Sequence, residues 1–470
     1  MIDPYESAVA LAHRIKAKEV SSVEVVQAYL DRIDRLDGEV NSIVWRNEAA
    51  ALAAAAEADK RTMGGGDLPA FHGVPIPVKD LTSVAGQPNT QASLGISDAP
   101  QKESDLVVDL LTNAGFVLCG RSNSPELGPM SVTENKRWGV TRNPWNLDHT
   151  PGGSSGGAAA AVIAGFAPVA HANDGGGSIR MPSSCCGTVG LKPARGRVPN
   201  LVPSWEHSTT EGAITRSVGD CAAMLDVLGV PDRNLFYNAP APRRPYVDEV
   251  GADTDTLRIG LMTETPTGVP VDPECVAAAE RLAALLESRG HVVEQAKPVL
   301  YSAEAIRGYL DVIVNASMHL TDFEDASLAE PYIRHRLAEA LKHHSGEYAR
   351  AAARIYAENR PLVSQWGRDF DVLLTPTMAT LPPRTGIVLE QANGDPTGDR
   401  LIEDQMIAFT AFCNISGLPA ISLPVHMSAD GLPVGAQLVG APFDEATLIR
   451  LAASVEDESG WLDRVPPAFA

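Results

Sequence analysis

Two glycine- and serine-rich loops and one upstream lysine contain the residue types that could catalyse a reaction. The first loop, residues 152–157, reads Gly-Gly-Ser-Ser-Gly-Gly, and the second, residues 174–180, reads Asp-Gly-Gly-Gly-Ser-Ile-Arg. Lys79 follows the apolar run 74–78. A hydroxyl nucleophile needs a base and a group that binds the oxyanion, and together these three segments supply candidates for both.

Lys79 can act as a base only if its pKa lies well below the ordinary value of about 10.4. Burial lowers the pKa of a lysine because it disfavours the charged ammonium. The position of Lys79 after an apolar run is typical of a desolvated lysine, whereas most single lysines keep their charge at the surface. In a strand, Asp80 would face the opposite side and need not restore the positive charge.

A flexible linker is the alternative interpretation of the first loop. This loop runs directly into the apolar segment 158–163, which predicts a buried helix, whereas linkers are usually flanked by polar or proline-rich sequence. The N-terminus of a helix offers backbone N–H groups and the positive end of a dipole, which suit an anion. Three glycines before Ser178 permit a close backbone approach, as an oxyanion hole requires. The pattern therefore favours catalysis over a linker.

The first loop also matches the G-x-S-x-G pattern of the nucleophile elbow in α/β-hydrolases. That motif requires a strand directly before it, and residues 143–151 are typical of a loop. Asp371 and His426 follow in the order that such a triad needs, but pairs of this kind arise easily by chance. Both are better explained as structural residues, so we disfavour this interpretation.

Charge and cysteine usage narrow the class of protein. The chain has 470 residues, a net charge of −21 and a sequence pI of about 4.9. Nucleic acids and anionic membranes bind basic surfaces, so the acidity argues against both as partners. No secretory signal pattern is visible, and six scattered cysteines are typical of reduced, buried thiols. We expect a cytoplasmic monomer or homodimer that acts on a small molecule without a metal or cofactor.

The apolar pattern predicts an α/β fold in one domain of four segments. Residues 1–66 are helical, with Ser22 as a candidate N-cap. Residues 67–230 form the catalytic core, residues 231–400 a variable region for the substrate pocket and a lid, and residues 401–470 a return to the core. The predicted strands are 74–78, 116–119, 167–172, 257–262, 291–294, 371–377, 420–425 and 436–439, and the predicted helices include 104–114, 158–163, 273–288, about 303–319 and about 326–360.

These motifs together resemble the amidase signature family over nearly the whole chain. The segments that match are 73–80, 121–128, 143–146, 151–199, 417–420 and 431–435. So many separate matches in the right order are not expected by chance. The resemblance implies a large mixed β-sheet flanked by helices on both faces, and an amidase that cleaves C–N bonds without a cofactor.

The resemblance also implies a Ser–cis-Ser–Lys triad. Ser178 would be the nucleophile, Lys79 the base, and Ser154, in a cis peptide bond with Gly153, the residue that carries the proton between them. The oxyanion would bind the backbone N–H groups of Gly175, Gly176, Gly177 and Ser178. The residues that would support the two loops are Gly153, Ser155, Asp174 and Arg180.

Three positions depart from the family pattern. Asn173 and Gly175 stand where threonine is common, and Ala92 replaces a glycine. The extra glycine at 175 would loosen the oxyanion loop or leave room for a bulkier acyl group. Segments 174–180 and 184–187 resemble cyclic aminohexanoate-dimer hydrolases, bacterial aryl acylamidases and some urethane-cleaving amidases. This subgroup implies aryl or hydrophobic amides as substrates, with nylon oligomers, urethanes and esters as further candidates.

Two other functions remain open at this point. The same family contains the glutaminase subunit of the tRNA-dependent amidotransferase, but residues 197–205 do not resemble the corresponding stretch of that subunit. A non-catalytic binding protein on the same scaffold is the second alternative. It is disfavoured because all three triad positions carry the required residue types.

Overall fold

The computed structural model describes residues 2–202 and 204–470. Met1, in the predicted segment 1–66, and Pro203, in the stretch 197–205 compared above, lie outside the described residues. The strands are, in chain order, β1 (Ile43–Trp45), β2 (Pro75–Lys79), β3 (Val117–Ser122), β4 (Glu134–Asn135), β5 (Gly139–Val140), β6 (Val169–Asp174), β7 (Val189–Lys192), β8 (Thr210–Thr215), β9 (Arg258–Leu261), β10 (Val292–Gln295), β11 (Val372–Pro376), β12 (Ala420–Met427) and β13 (Pro433–Val439).

Helices surround these strands along the whole chain. The longer ones are Ala8–Lys16, Ser22–Val40, Glu48–Gly64, Leu106–Asn113, Gly156–Ile163, Arg180–Cys186, Val218–Leu228, Pro273–Ser288, Ala303–Arg307, Pro331–Ala340, Ser345–Val363, Ile387–Gly394, Leu401–Ile407, Ala411–Ser416 and Glu445–Ser459. Across the described ranges, none of the helices is long and apolar enough to cross a membrane.

Eight strands form one mixed sheet in the order β10–β9–β11–β13–β12–β7–β8–β6. β9 pairs in parallel with β10 and β11, and the other neighbours in this sheet are antiparallel. The predicted α/β fold with a large mixed sheet is therefore confirmed.

The large sheet is buried on both faces. Successive side chains of a strand point to opposite faces, and along β11 Val372 and Leu374 belong to one hydrophobic cluster while Leu373 belongs to another. The first cluster includes apolar residues of helices Pro273–Ser288 and Glu445–Ser459, and the second includes residues of helix Gly156–Ile163. Helices thus cover both faces, as the resemblance implied.

The strand that carries Lys79 belongs to a separate, smaller sheet. This sheet has the order β1–β3–β2, in which β2 runs parallel to β3 and Lys79 lies opposite Ser122. β2 also packs against β6, which is the edge strand of the large sheet. The candidate base therefore reaches the serine loops across the boundary between two sheets.

Local capping explains where several helices differ from the prediction. The N-cap of helix Ser22–Val40 is Ser21, not Ser22, because Ser21 and Glu24 form a reciprocal capping box. The Ser22 hydroxyl instead donates to the Gly73 carbonyl at 2.7 Å. Stretch 326–360 divides into two helices, since the His344 side chain caps a new helix at Ser345. The helix predicted at 273–288 is confirmed with the same bounds.

The cysteines are structural residues of the core. All six are buried and unpaired, as the sequence predicted. Burial raises the pKa of the Cys119 thiol to about 12, and the other five thiols shift in the same direction. These thiols are therefore protonated and unreactive at neutral pH.

Candidate active site

Each serine loop contains a glycine that other residues could not easily replace. In the first loop the peptide bond between Gly153 and Ser154 is cis, as the resemblance implied. A side chain at Gly153 would place its Cβ 2.7 Å from backbone atoms of Val132, so only glycine fits. The second loop joins β6 to helix Arg180–Cys186 and includes Gly177 at φ +134°, a conformation that other residues rarely adopt.

The fully buried Lys79 lies at the centre of a polar cluster. Its Nζ atom is 2.6 Å from Ser154 Oγ, 2.8 Å from Ser155 Oγ and 2.7 Å from Asn173 Oδ1. The Lys79 side chain has no exposed surface. Ser155, which was expected only to support the loop, therefore contacts the lysine directly.

The hydrogen bonds of this cluster define where the nitrogen lone pair of a neutral Lys79 points. Asn173 Oδ1 can only accept, so it takes one N–H of the amine. The Ser155 hydroxyl donates its own proton to the backbone carbonyl of Asn173 at 3.2 Å. The Ser155 oxygen can therefore accept the second N–H of Lys79. A neutral amine has two N–H groups, and the lone pair is left for Ser154. Lys79 is thus oriented to accept the proton of the Ser154 hydroxyl.

Burial also allows Lys79 to be neutral near physiological pH. Desolvation lowers its pKa from the ordinary value to about 7, and the charges of Glu211 and Asp174 partly oppose that decrease. Lys192 is a second fully buried lysine whose pKa burial also lowers to about 7. Its Nζ donates to the Pro193 carbonyl instead of a serine, so Lys79 is the lysine placed to act as a base.

Ser178 and Ser154 line the same cavity. The Ser178 residue is 6% exposed, and its hydroxyl has no hydrogen-bond partner among the residues that the structure describes. A backbone hydrogen bond connects the two loops, in which the Ser155 N–H donates to the Ser178 carbonyl at 3.3 Å. The Ser178 hydroxyl is therefore free to approach a substrate beside the lysine cluster.

The N–H groups expected to bind an oxyanion fall into two sets. Within the described ranges, the N–H groups of Gly175, Gly176 and Ser178 donate to no other group. The Gly177 N–H, by contrast, donates to Asp174 Oδ1 at 2.7 Å. The sequence-based assignment of Gly177 to the oxyanion hole is therefore corrected, because in this conformation its N–H fixes the loop.

The departure at Gly175 does not leave room for a bulkier acyl group. A Cβ at Gly175 would lie 2.8 Å from the indole ring of Trp205, which occupies the space that a threonine side chain would need. Trp205 has a left-handed backbone conformation with φ +53° and lines the cavity beside Ser178. The glycine therefore accommodates an aromatic side chain of this protein, not an enlarged substrate.

Asp174 and Arg180 form a buried ion pair that supports the second loop. Arg180 Nε and Nη2 donate to the two carboxylate oxygens at 3.0 Å each, and neither side chain has exposed surface. Burial alone would raise the pKa of Asp174, but the Arg180 guanidinium holds it well below its ordinary value. Arg180 also donates to Asn414 Oδ1 and Gln437 Oε1, at 2.6 Å each.

We predict that Arg180→Met destabilises the protein by about 3–5 kcal/mol, because it leaves the Asp174 carboxylate buried without its partner. Urea unfolding followed by fluorescence measures this change. The control is Arg368→Met, which removes an exposed arginine paired with Asp369 and should cost less than about 1 kcal/mol. Equal losses in the two variants would contradict a supporting function for the buried pair.

The cavity beside the serines has a volume of about 420 Å³ and combines apolar and acidic walls. Its main apolar lining residues are Leu81, Leu127, Trp205, Met318 and Leu320. Two carboxylates, Asp105 and Glu211, also line it. Ser317, Met318, Leu320 and Thr321, from the region predicted to form a lid, reach this cavity.

A second cavity of about 570 Å³ adjoins the same loop. Gly175 and Trp205 line both cavities, whereas Gly176 lines only the second, whose other walls include residues between 309 and 411. Residues of the segment predicted to hold the substrate pocket therefore approach the oxyanion loop from two sides.

The residues of the nucleophile-elbow alternative lie elsewhere. Asp371 pairs with Arg258 at 2.8 Å, and His426 lies 2.6 Å from a carboxylate oxygen of Glu274. Both are structural residues, as the sequence analysis favoured. No group of three or more histidine, cysteine or acidic side chains that could hold a metal ion occurs in the described part of the chain.

Several residues of the site have no marked signal in the sequence. Asn173 and His171 stand on β6 just before the second loop, where polar side chains in an apolar strand are the one available indication. Asn414 and Gln437 contact Arg180 from more than 200 residues further along the chain. No local pattern connects such distant positions.

The proteins to which this chain is similar agree with the geometry of the site. Residues 24–449 match the family described as Amidase. A 6-aminohexanoate-cyclic-dimer hydrolase of Pseudomonas sp. (strain NK87) is 36% identical, over 99% of this chain and 97% of the relative.

Solved structures give the same assignment. The structure of a 6-aminohexanoate cyclic dimer hydrolase complexed with substrate superimposes with a TM-score of 0.93 at 32% identity, over 100% of both chains. A bacterial aryl acylamidase of the amidase signature family superimposes with a TM-score of 0.87 at 27% identity, over 98% of both chains. The chain therefore belongs to the amidase signature family and is an enzyme that hydrolyses amide bonds.

Proposed function

We propose that this enzyme hydrolyses carboxylic amides through an acyl-serine intermediate on Ser178. The observation that carries this proposal is the contact of the buried Lys79 Nζ with Ser154 Oγ at 2.6 Å. In the neutral amine, Ser155 and Asn173 would take the two N–H groups, so that the lone pair would face Ser154. Ser178 and Ser154 line the same cavity, which supports Ser178 as the residue that gives its proton to Ser154.

Each proton in the proposed mechanism has a donor and an acceptor. Neutral Lys79 takes the proton of Ser154 as Ser154 takes that of Ser178, and Ser178 Oγ attacks the carbonyl carbon. The ammonium returns a proton through Ser154 to the leaving nitrogen as the C–N bond breaks. Water then attacks the acyl-serine by the same path, and the carboxylic acid leaves as Ser178 recovers its proton.

The developing oxyanion would accept from the free N–H groups of Gly175, Gly176 and Ser178. Donors of this kind typically contribute about 3–4 kcal/mol each to the stabilisation of the transition state. The neighbouring Gly177 N–H and the Asp174–Arg180 pair keep this loop in place.

The substrates that we propose are aryl or otherwise hydrophobic amides. Apolar side chains form much of the cavity wall, and the similar proteins include a cyclic-dimer hydrolase and an aryl acylamidase. Nylon oligomers, urethanes and esters are further candidates, because the same acyl transfer applies to each. The net charge of −21 argues against a nucleic-acid partner, and the six unpaired thiols support a cytoplasmic location. We propose a monomer or homodimer.

A substrate panel tests the proposed function. It contains matched anilides, alkylamides, aryl esters, urethanes, the 6-aminohexanoate cyclic dimer and glutamine. We expect anilides and aryl esters to react faster than alkylamides, because their leaving groups need less help from protonation. Equal kcat/KM values for anilides and alkylamides would contradict this ranking. Glutamine as the best substrate would favour the amidotransferase subunit.

A further inference from the structure

A histidine and a glutamate lie directly behind Lys79. His171 of β6 is fully buried, and its Nε2 atom is 2.9 Å from Glu211 Oε2. The other ring nitrogen, Nδ1, accepts the backbone N–H of Lys79 at 3.4 Å. Glu211 stands on β8 opposite Asn173, and its side chain is 16% exposed at the cavity. These contacts form a continuous path from the cavity wall to the backbone of the base.

The two contacts define the tautomer of His171. A backbone N–H can only donate, so Nδ1 carries no proton. Nε2 therefore carries the ring proton and donates it to the Glu211 carboxylate. Only one oxygen of Glu211 is used in this way, and within the described residues the other has no hydrogen-bond partner.

We propose that Glu211 and His171 are a positioning pair for Lys79. The carboxylate orients the imidazole, the imidazole holds the backbone of Lys79, and the carboxylate charge stabilises the ammonium that forms when Lys79 accepts a proton. This inference rests on the proposed function of Lys79 as the base. Neither residue contacts the reacting serines, so both act through the lysine.

Two ion pairs lie close to Lys79. Asp80 and Arg121 face each other at 3.7 Å, and Arg121 also donates to the Lys79 carbonyl at 3.1 Å. Asp174 is paired with Arg180. Lys79 itself has no ion pair within 4.0 Å in the described ranges.

Of the two carboxylates whose charges act on Lys79, Asp174 and Glu211, only Glu211 has no guanidinium partner among the described residues. Its charge opposes the decrease that burial causes in the pKa of Lys79. Removing that charge should favour the neutral amine, so the pKa of Lys79 should fall.

The test is the pH dependence of kcat/KM in Glu211→Gln with an uncharged anilide. The amide keeps the size of the side chain and an oxygen that can accept from His171, but it removes the charge. The acidic limb of the profile should move to lower pH by about 0.5–1.5 units. The matched control is Asp105→Asn, which removes the other carboxylate of the cavity; in the described residues Asp105 makes no hydrogen bond with His171, so this variant should move the limb by less than Glu211→Gln does.

Three outcomes would overturn the inference. One is an unchanged limb in Glu211→Gln, and another is an equal shift in Asp105→Asn. The third is a change confined to the KM of positively charged substrates, which would make Glu211 a substrate contact. Rates are normalised to titrated active sites, and thermal melting checks that each variant is folded. If Lys79→Met stays active, the proposed function fails; if that variant is inactive and Glu211→Gln is unshifted, only the positioning pair fails.

Discussion

Replacing Ser178 with alanine should lower kcat/KM for amide hydrolysis by about 10⁴-fold or more, because no other group can form the acyl intermediate. Ser178 lines the cavity together with Gly175, and its hydroxyl takes no part in the Asp174–Arg180 ion pair that supports the loop. We therefore expect the variant to keep the melting temperature of the parent protein. Stopped assays with an anilide substrate measure the loss.

Covalent labelling separates the two serines. A fluorophosphonate should add to the peptide that contains Ser178, and mass spectrometry should find no adduct in Ser178→Ala. Ser154→Ala is the matched control, since it should slow labelling while the adduct stays on Ser178. An adduct on Ser154, or full activity in Ser178→Ala, would reverse the assigned functions of the two serines.

Replacing Lys79 with methionine should lower kcat/KM at neutral pH by about 10²–10⁴-fold, the typical contribution of a general base. Methionine fills much of the same volume but accepts no proton from Ser154. The pKa of Lys79 is lowered to about 7 by burial, and only the neutral amine is active. Activity of the parent enzyme should therefore rise with pH through about 7 and then level off.

The Lys79→Met variant should lose this acidic limb along with its activity. Lys192→Met is the matched control, because Lys192 is equally buried and its pKa is lowered in the same way, yet its Nζ contacts no serine. The limb should persist in that control. An acidic limb that persists in Lys79→Met, or that disappears only in Lys192→Met, would contradict the assignment of Lys79 as the base.

Local patterns predicted the parts of this structure that depend on neighbouring residues. The helix Pro273–Ser288 was predicted with its observed bounds, because Asp272 caps it and proline is favoured in its first turn. The strand that ends at Lys79 followed from an apolar run. The two loops were recognisable because their glycines permit contacts that other residues cannot make.

Contacts between distant segments were not predictable in this way. Trp205 fills the space above Gly175, and the Gly177 N–H is taken by Asp174. Neither contact has a periodic signal, since each depends on how a loop folds back. The same holds for His171 and Glu211, whose side chains meet because β6 and β8 pair in one register.

The division of the strands into two sheets has a consequence for how substitutions outside the triad can affect the rate of this enzyme. Lys79 stands on the three-stranded sheet, whereas Asn173 and the second loop continue from the large one. The proposed proton path therefore spans a junction at which the described strands of the two sheets do not pair, and which is bridged by side chains such as His171, the acceptor of the Lys79 N–H. A substitution that shifts one sheet against the other would change the rate while every residue of the triad stays in place.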